Sequence, residues 1–234
     1  MQAVVQALRG NTPGPLPLMT PLFDYVSSRP AAATYPAQRT AQGWQLGGGS
    51  FGRDAGAGVQ LMTQQAVDRT TTRFVEHPLF ADRPGLYGPP ERPEQDYADN
   101  PLRFALLSRA ALCIAEEFGL RPDVVHGHDW STAMAVYYAR RGALNRPVGT
   151  VFTVHNLLFK GLCSLSDAAN LGIGLEDLGP NGVEFYGQAA FIKAGLQFAH
   201  RVTTVSPHYA SEIRSAEFGY GLEGVMQALG DRLT

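Results

Sequence analysis

Beyond residue 100 the chain alternates between two hydrophobic patterns. Phe104, Leu107, Ala111, Ile114, Ala115 and Phe118 recur at helical spacing and predict a helix with one face on a core. Asn100 suits the N-cap, Pro101 the first helical position, and Gly119 the stop. A short strand is expected over 123–126, then a helix over 131–141 closed by Gly142, and a strand over 149–154. A helix over 188–199 and a strand over 201–205 come next, after a stretch at 156–186 that carries Gly and Asp and predicts at most short helices. Ser206 and Pro207 open a further helix, to about residue 214, with Ser206 as its cap. Strand and helix alternate three times. That is the pattern of an α/β fold with a doubly wound parallel sheet.

The first hundred residues are rich in Pro, Gly, Ala and Gln and weak in periodicity. Residues 16–23 hold a short strand at most, because Pro17 and Pro21 confine it to a few residues or a sheet edge. Residues 47–52 formally satisfy GxGxxG, yet more glycine follows and no helix. They read as a turn between two antiparallel strands and not as a dinucleotide loop. A strand is expected over 71–76, running into an irregular loop over 77–88 imposed by Pro and Gly.

Composition narrows the class. A chain of 234 residues, 44% of them hydrophobic, can build a full globular core. A formal net charge of -2 gives no strong pull toward nucleic acid or an anionic membrane. The apolar runs are too short to span a bilayer, and residues 1–14 lack a signal-peptide layout, so a cytoplasmic location is expected. Two cysteines, Cys113 and Cys163, form no CxxC pair and read as reduced thiols.

The chemically able residues gather where strands end. Pro122-Asp123-Val124-Val125-His126-Gly127-His128-Asp129-Trp130 and Thr150-Val151-Phe152-Thr153-Val154-His155-Asn156 each run from β-branched residues into His, Asp or Asn. In an open parallel sheet, ligands bind beyond the carboxyl ends of the strands, so these ends read as one side of a cleft. His126, His128 and Asp129 admit three readings: metal ligands, hydrogen bonding to a polyhydroxylated ligand, or a helix cap beside a buried histidine. His155 and Asn156 read as a functional pair, since a histidine on a rigid strand end can donate to or accept from a hydroxyl near neutral pH. Gln188 is expected to open a helix and to reach the cleft or serve structure alone. Lys193, in the same helix, is expected on its wet face or snorkelling. Ser206 is a cap and not a nucleophile, because no GxSxG elbow surrounds it.

A series of ordered motifs gives the chain a family likeness. They include Phe80-Ala81-Asp82-Arg83-Pro84-Gly85-Leu86-Tyr87-Gly88, Asp99-Asn100-Pro101-Leu102-Arg103-Phe104, His126-Gly127-His128-Asp129-Trp130 and Thr153-Val154-His155-Asn156. Phe185-Tyr186-Gly187-Gln188, Lys193-Ala194-Gly195-Leu196, Thr203-Thr204-Val205-Ser206-Pro207 and the run from Glu217 to Gly224 follow in order. Over roughly residues 70–234 the chain resembles the bacterial glycogen synthases and plastid starch synthases. The resemblance implies the N-terminal half of a GT-B fold. It also implies retaining transfer of glucose from ADP-glucose to the non-reducing end of an α-1,4-glucan, with no metal and no cofactor. Carried over, His155 resembles the histidine that contacts the transferred glucose. Asp129 and Asn156 match polar cleft residues beside it, and Tyr87 matches a loop tyrosine near the donor. His128 and Gln188 are candidate substrate contacts.

The departures bear on activity. The family's Lys-x-Gly-Gly loop at the donor phosphates is not in this sequence, and Ser131 stands where the family often has His. The expectation is a single catalytic N-terminal domain over 1–234, incomplete and weakly matched over 1–70, without the nucleotide-binding domain and inactive or nearly so alone. The rival readings are a non-catalytic glucan- or partner-binding module, a metal-dependent hydrolase using His126 and His128, and a non-functional gene product.

Overall fold

The computed structural model describes residues 71–234 except 82, 93 and 118, with the strand segments 37–40, 43–46 and 59–65. The expected short strand at 16–23 and the turn at 47–52 lie outside the described residues. The chain divides into two compact units, residues 17–103 and residues 104–234 with 1–16.

The 17–103 unit holds a four-stranded antiparallel sheet in the order β1-β2-β3-β4. Its strands are β1 (Ala37–Thr40), β2 (Gly43–Leu46), β3 (Val59–Gln65) and β4 (Thr71–Glu76). β2 and β3 pair antiparallel through Gln45 with Gln60 and Leu46 with Val59. β4 has the expected bounds.

One helical turn, Pro78–Ala81, interrupts the expected irregular loop. His77 starts it: the ring Nδ1 accepts from the Leu79 backbone N–H at 3.2 Å. His77 is 1% exposed, and burial pushes its pKa down from 6.5 to about 4. Above pH 6.5 the ring is neutral both folded and unfolded, and stability does not depend on it. As pH falls below 6.5, the unfolded chain takes a proton that the fold refuses. Acidification from pH 7 to pH 4.5 is thus expected to cost this unit roughly 2–3 kcal/mol. Urea unfolding of wild type and His77→Asn across that range checks it, and equal slopes for the two proteins would refute the assignment to His77.

Arg103 clamps the following loop. Its guanidinium donates to Leu79 O at 2.7 Å, Leu86 O at 3.0 Å and Asn100 Oδ1 at 2.6 Å. Asn100 in turn donates Nδ2 to Tyr87 O at 2.7 Å. Arg83 pairs with Asp99. These bonds explain one departure from expectation. Asn100 is the first residue of helix α1 (Asn100–Glu117), not its cap; Asp99 O accepts the Arg103 N–H instead. The Asn100 amide is occupied by loop contacts.

α1 ends as foreseen. Gly119 takes φ 61°, its N–H reaches Glu116 O, and the Leu120 N–H reaches Ala115 O. The expected core face is only partly right. Phe104, Ile114 and Ala115 are buried, but Leu107 and Ala111 are half-exposed, while Leu106, Ala110, Leu112 and Cys113 are buried in their place. Burial extends round most of the helix, so a single apolar stripe does not mark it. Arg109 is buried with its guanidinium 3.8 Å over the Tyr138 ring.

In the 104–234 unit, β5 (Val124–His128), β6 (Gly149–Val154) and β10 (Arg201–Thr204) form a parallel sheet in the order β10-β6-β5. A 3-10 turn at Trp130–Thr132 and helix α2 (Ala133–Arg140) connect β5 to β6. Between β6 and β10 come β7 (Leu162–Cys163), α3 (Leu165–Asn170), β8 (Glu184–Phe185), β9 (Gln188–Ala190) and α4 (Phe191–Phe198). β7, β9 and β8 make a small antiparallel sheet. Gln188 therefore opens a strand and not the expected helix. Tyr186 (φ 48°) and Gly187 (φ 81°) form a two-residue hairpin turn that pairs Gln188 with Phe185. α2 and α4 pack together, with Tyr137 meeting Phe198 edge-on at 4.8 Å. α5 (Pro207–Glu212) is capped by Ser206, whose hydroxyl accepts from the Tyr209 N–H, and α6 (Glu223–Ala228) follows. Cys113 and Cys163 are buried and form no disulfide among the described residues. Among the described residues no helix is long and apolar enough to cross a membrane.

Candidate functional site

β5 and β6 run in register, with His128 opposite Thr153, so their carboxyl ends lie side by side. The Asp129 N–H continues the ladder by donating to Thr153 O at 2.9 Å. Asp129 then adopts φ 56°, ψ 176°, a strained conformation for a residue with a Cβ, and turns the chain into the 3-10 turn. Its carboxylate does not cap that turn. Oδ1 instead accepts the backbone N–H groups of His155 at 2.8 Å and Asn156 at 3.3 Å. Helix capping, one of the readings open from sequence, is thus replaced by a bridge to the neighbouring strand end.

His128 is pinned from behind. Thr132 Oγ1 accepts its N–H and donates to its carbonyl. Its Nδ1 lies 3.1 Å from His155 Nε2. One of these nitrogens must donate and the other accept, so a single proton lies between the two rings. Protonating both would set N–H against N–H. His128 is accordingly held below the usual histidine range, by burial first and by His155 next, against an opposing pull from Asp129. His126 stacks on His128 with centroids 4.2 Å apart. Its pKa is lowered by burial, then by His128 and His155. His126 Nε2 meets Thr153 Oγ1 at 2.7 Å, and that hydroxyl meets Thr203 Oγ1 at 2.6 Å. Stacked rings with Nε2 committed to a threonine do not converge on a point. Among the described residues no group of three or more His, Cys, Asp or Glu is placed to hold a metal ion.

Asn156 folds its Oδ1 back onto the Leu158 N–H at 3.0 Å, and the Leu157 N–H reaches Tyr209 Oη at 3.0 Å. Thr204 Oγ1 donates to Val154 O at 2.7 Å, so all three strands brace this corner. His155 and Asn156 remain exposed. The structure thus gathers His128, Asp129, His155 and Asn156. Gln188 sits exposed on the β8–β9 hairpin. Tyr87 belongs to the 17–103 unit, where its carbonyl accepts from Asn100 and from the Tyr97 N–H.

Two features were not legible in the sequence. An exposed aromatic group forms where distant motifs meet: Phe185 and Tyr186 are edge-on at 4.7 Å, and Lys160 Nζ lies 5.4 Å over Phe185 and 5.5 Å over Tyr220. Gly221 backs onto both rings of the pair, and a Cβ there would lie 3.1 Å from each, close enough that a ring would have to give. The signal was present as two separate motifs, but nothing in their order says they touch. Lys193 is the second. It is 5% exposed, not on a wet face, and donates Nζ to Pro180 O and to Glu184 O at 2.6 Å. Burial lowers its pKa, with Glu184 opposing. It fastens the 156–190 insertion to α4. Lys193→Met keeps the volume but orphans two carbonyls. It should lower stability by about 2 kcal/mol, read as a shifted urea midpoint with unchanged slope; an unmoved midpoint would show the bonds to be dispensable.

Comparison with known proteins gives a consistent result. Residues 25–228 match the family described as starch synthase catalytic domain. A glycogen synthase from Burkholderia thailandensis is 44% identical over 184 residues, covering 76% of this chain and 34% of that protein. One from Yersinia pestis is 48% identical over 185 residues, covering 76% and 35%. The catalytic domain of starch synthase IV from Arabidopsis thaliana, solved bound to ADP and acarbose, superposes with a TM-score of 0.61 at 24% identity, covering 87% of this chain and 39% of that one. The chain spans about a third of the length of these curated relatives.

Proposed function

The chain belongs to the family of starch synthase catalytic domains, and on that premise we propose that its strand-end cluster is the sugar-contacting wall of a retaining glucosyltransferase. The fold is the Rossmann-like half of a GT-B glycosyltransferase. The reaction is transfer of glucose from ADP-glucose to the non-reducing end of an α-1,4-glucan. The ADP and acarbose held by the Arabidopsis relative support that substrate pair.

The observation that carries the reading is the Asp129 carboxylate bridging the His155 and Asn156 backbone N–H groups. It fixes an exposed imidazole at the carboxyl end of a parallel strand, where a sugar hydroxyl would sit. His155 contacts the transferred glucose, Asp129 places it, and His128 sets its tautomer. Asn156 and Gln188 are further sugar contacts. No metal or cofactor is required, and the cytoplasm is the expected compartment. Departure of the diphosphate needs preorganised cationic or N–H donors, which a nucleotide-binding domain would supply. The isolated chain is accordingly expected to turn over at background.

The test is glucose incorporation from radiolabelled ADP-glucose into glycogen, by the chain alone and by the chain joined to the remaining domain of the Burkholderia relative. Incorporation by the joined protein only is expected. In parallel, maltooligosaccharide titration of the chain alone should move the His155 and Asn156 amide resonances. Saturable binding that leaves those resonances still, with no turnover in the joined protein, would instead favour a non-catalytic glucan-binding module seated on Phe185, Tyr186 and Tyr220.

A further inference from the structure

At the opposite, amino ends of β6 and β10 lies a cavity of about 730 Å³. Arg140, Arg146 and His200 line it, together with Leu144, Pro147 and Val148. The length of β6 separates it from His155, about 20 Å at the usual rise per residue. None of its lining residues belongs to the strand-end cluster.

The hydrogen bonding of His200 is unbalanced. Its Nδ1 accepts the Thr150 backbone N–H at 3.0 Å and lies 2.9 Å from Thr150 Oγ1. That hydroxyl in turn accepts the His200 N–H at 3.0 Å. An amide N–H can only donate, so Nδ1 carries no proton and a neutral ring must carry it on Nε2. Yet Nε2 lies 2.9 Å from Arg140 Nη1, which is also a donor. Two N–H groups therefore converge at the cavity, and among the described residues no acceptor lies between them.

Positive charge surrounds this point. Arg232 donates to the carbonyls of Leu196, Gln197 and Ala199, and Arg201 donates to Asp231 O. Among the described residues none of Arg140, Arg201 and Arg232 forms an ion pair with a carboxylate. Arg146 has only the Asp123 carboxylate, in a pair whose side chains are 37% and 68% exposed, an arrangement of little net worth. Burial first, then Arg140 and Arg232, holds His200 below the usual histidine range, and burial first, then Arg140 and Arg201, lowers the Arg232 pKa.

We propose that this cavity binds a small phosphate monoester. The phosphate oxygens accept from Arg140 Nη1, His200 Nε2 and Arg146, and a compact carbon skeleton lies against Leu144, Pro147 and Val148. A phosphate dianion supplies the acceptor that both facing donors lack, and guanidinium groups match its oxygens in pairs. The volume exceeds that of a bare phosphate, which leaves room for the skeleton. Asp123 opposes the ligand, so binding displaces it from Arg146. The site is independent of the glucan reading.

Inorganic phosphate and glycerol phosphate, with glycerol as the control, are titrated into the full chain by calorimetry and by nitrogen-15 resonance of the histidine rings. Saturable one-to-one binding is expected, with the His200 Nε2 resonance moving and the His155 ring unmoved. Arg140→Met should weaken binding tenfold or more. His200→Asn keeps an acceptor for the Thr150 N–H, and so the local fold, but removes the ring donor; it should weaken binding comparably. Asp123→Asn should strengthen it. Absence of saturation up to tens of millimolar, equal affinity in Arg140→Met, or a response at His155 in place of His200 would each overturn the proposal.

Discussion

His155→Ala, in the chain joined to a nucleotide-binding domain, lowers glucosyl transfer by about 10²–10³-fold, the usual loss when one preorganised donor to the reacting group is removed. The size of the effect follows from how firmly the imidazole is placed. The His155 backbone N–H is held by Asp129 Oδ1, its ring Nε2 by His128, and Val154 before it is 0% exposed and tied to Thr204. A ring so placed loses little entropy on meeting substrate. Asp129→Ala should approach the same loss, because the strand end is then free to shift and small misplacements cost about 10²-fold. Asp129→Asn retains an oxygen that can accept both N–H groups and should recover most of the activity. Steady-state kinetics against maltooligosaccharide separates the cases: loss in kcat is expected for Asp129→Ala, with KM little changed. Activity within threefold of wild type for His155→Ala would remove it from the reaction, as judged against that expected range.

Gly195→Ala is the second large effect, and it acts on stability. A Cβ at this position on α4 would lie 2.5–2.6 Å from three carbons of the Phe152 ring. Phe152 is 0% exposed in the middle of β6 and has nowhere to retreat. Overpacking of this kind costs about 3 kcal/mol, and the helix must lift from the sheet to relieve it. Denaturant unfolding gives the loss directly. Phe152→Leu in the same chain should restore part of it, since the clash is with the ring itself; additive losses in the double variant would mean the contact is not the cause. Because β6 carries His155 at its end, a lifted α4 should also disturb transfer.

Much of this was readable along the chain, for reasons of range. β4 and β6 have the expected bounds because β-branched alternation and the flanking Gly and Pro report on their own few residues. Gly119 ends α1 and Ser206 caps α5 as expected, since each acts on backbone groups within one helical turn. The polar strand ends were recognisable as neighbours because parallel sheets present their carboxyl ends together.

What went astray depended on partners far away in sequence. Asn100 left the cap because its amide reaches Tyr87. Lys193 was read as wet or snorkelling, yet it is buried against the carbonyls of Pro180 and Glu184 in the preceding insertion. Gln188 opens a strand because Tyr186 and Gly187 turn the chain back onto Phe185, a pairing that overrides the helical pattern beyond it.

The sequence by itself determined the alternation of strand and helix, the places where strands stop, and the residues that stand there. Local sterics and hydrophobic periodicity are enough for that. Only the tertiary structure decided that the Asp129 carboxylate crosses to the His155 and Asn156 N–H groups instead of capping its own turn. It alone decided that Arg140 Nη1 comes within 2.9 Å of His200 Nε2 in the lining of one cavity. Both depend on hydrogen-bond direction between segments 26 to 60 residues apart, which spacing along a chain does not encode.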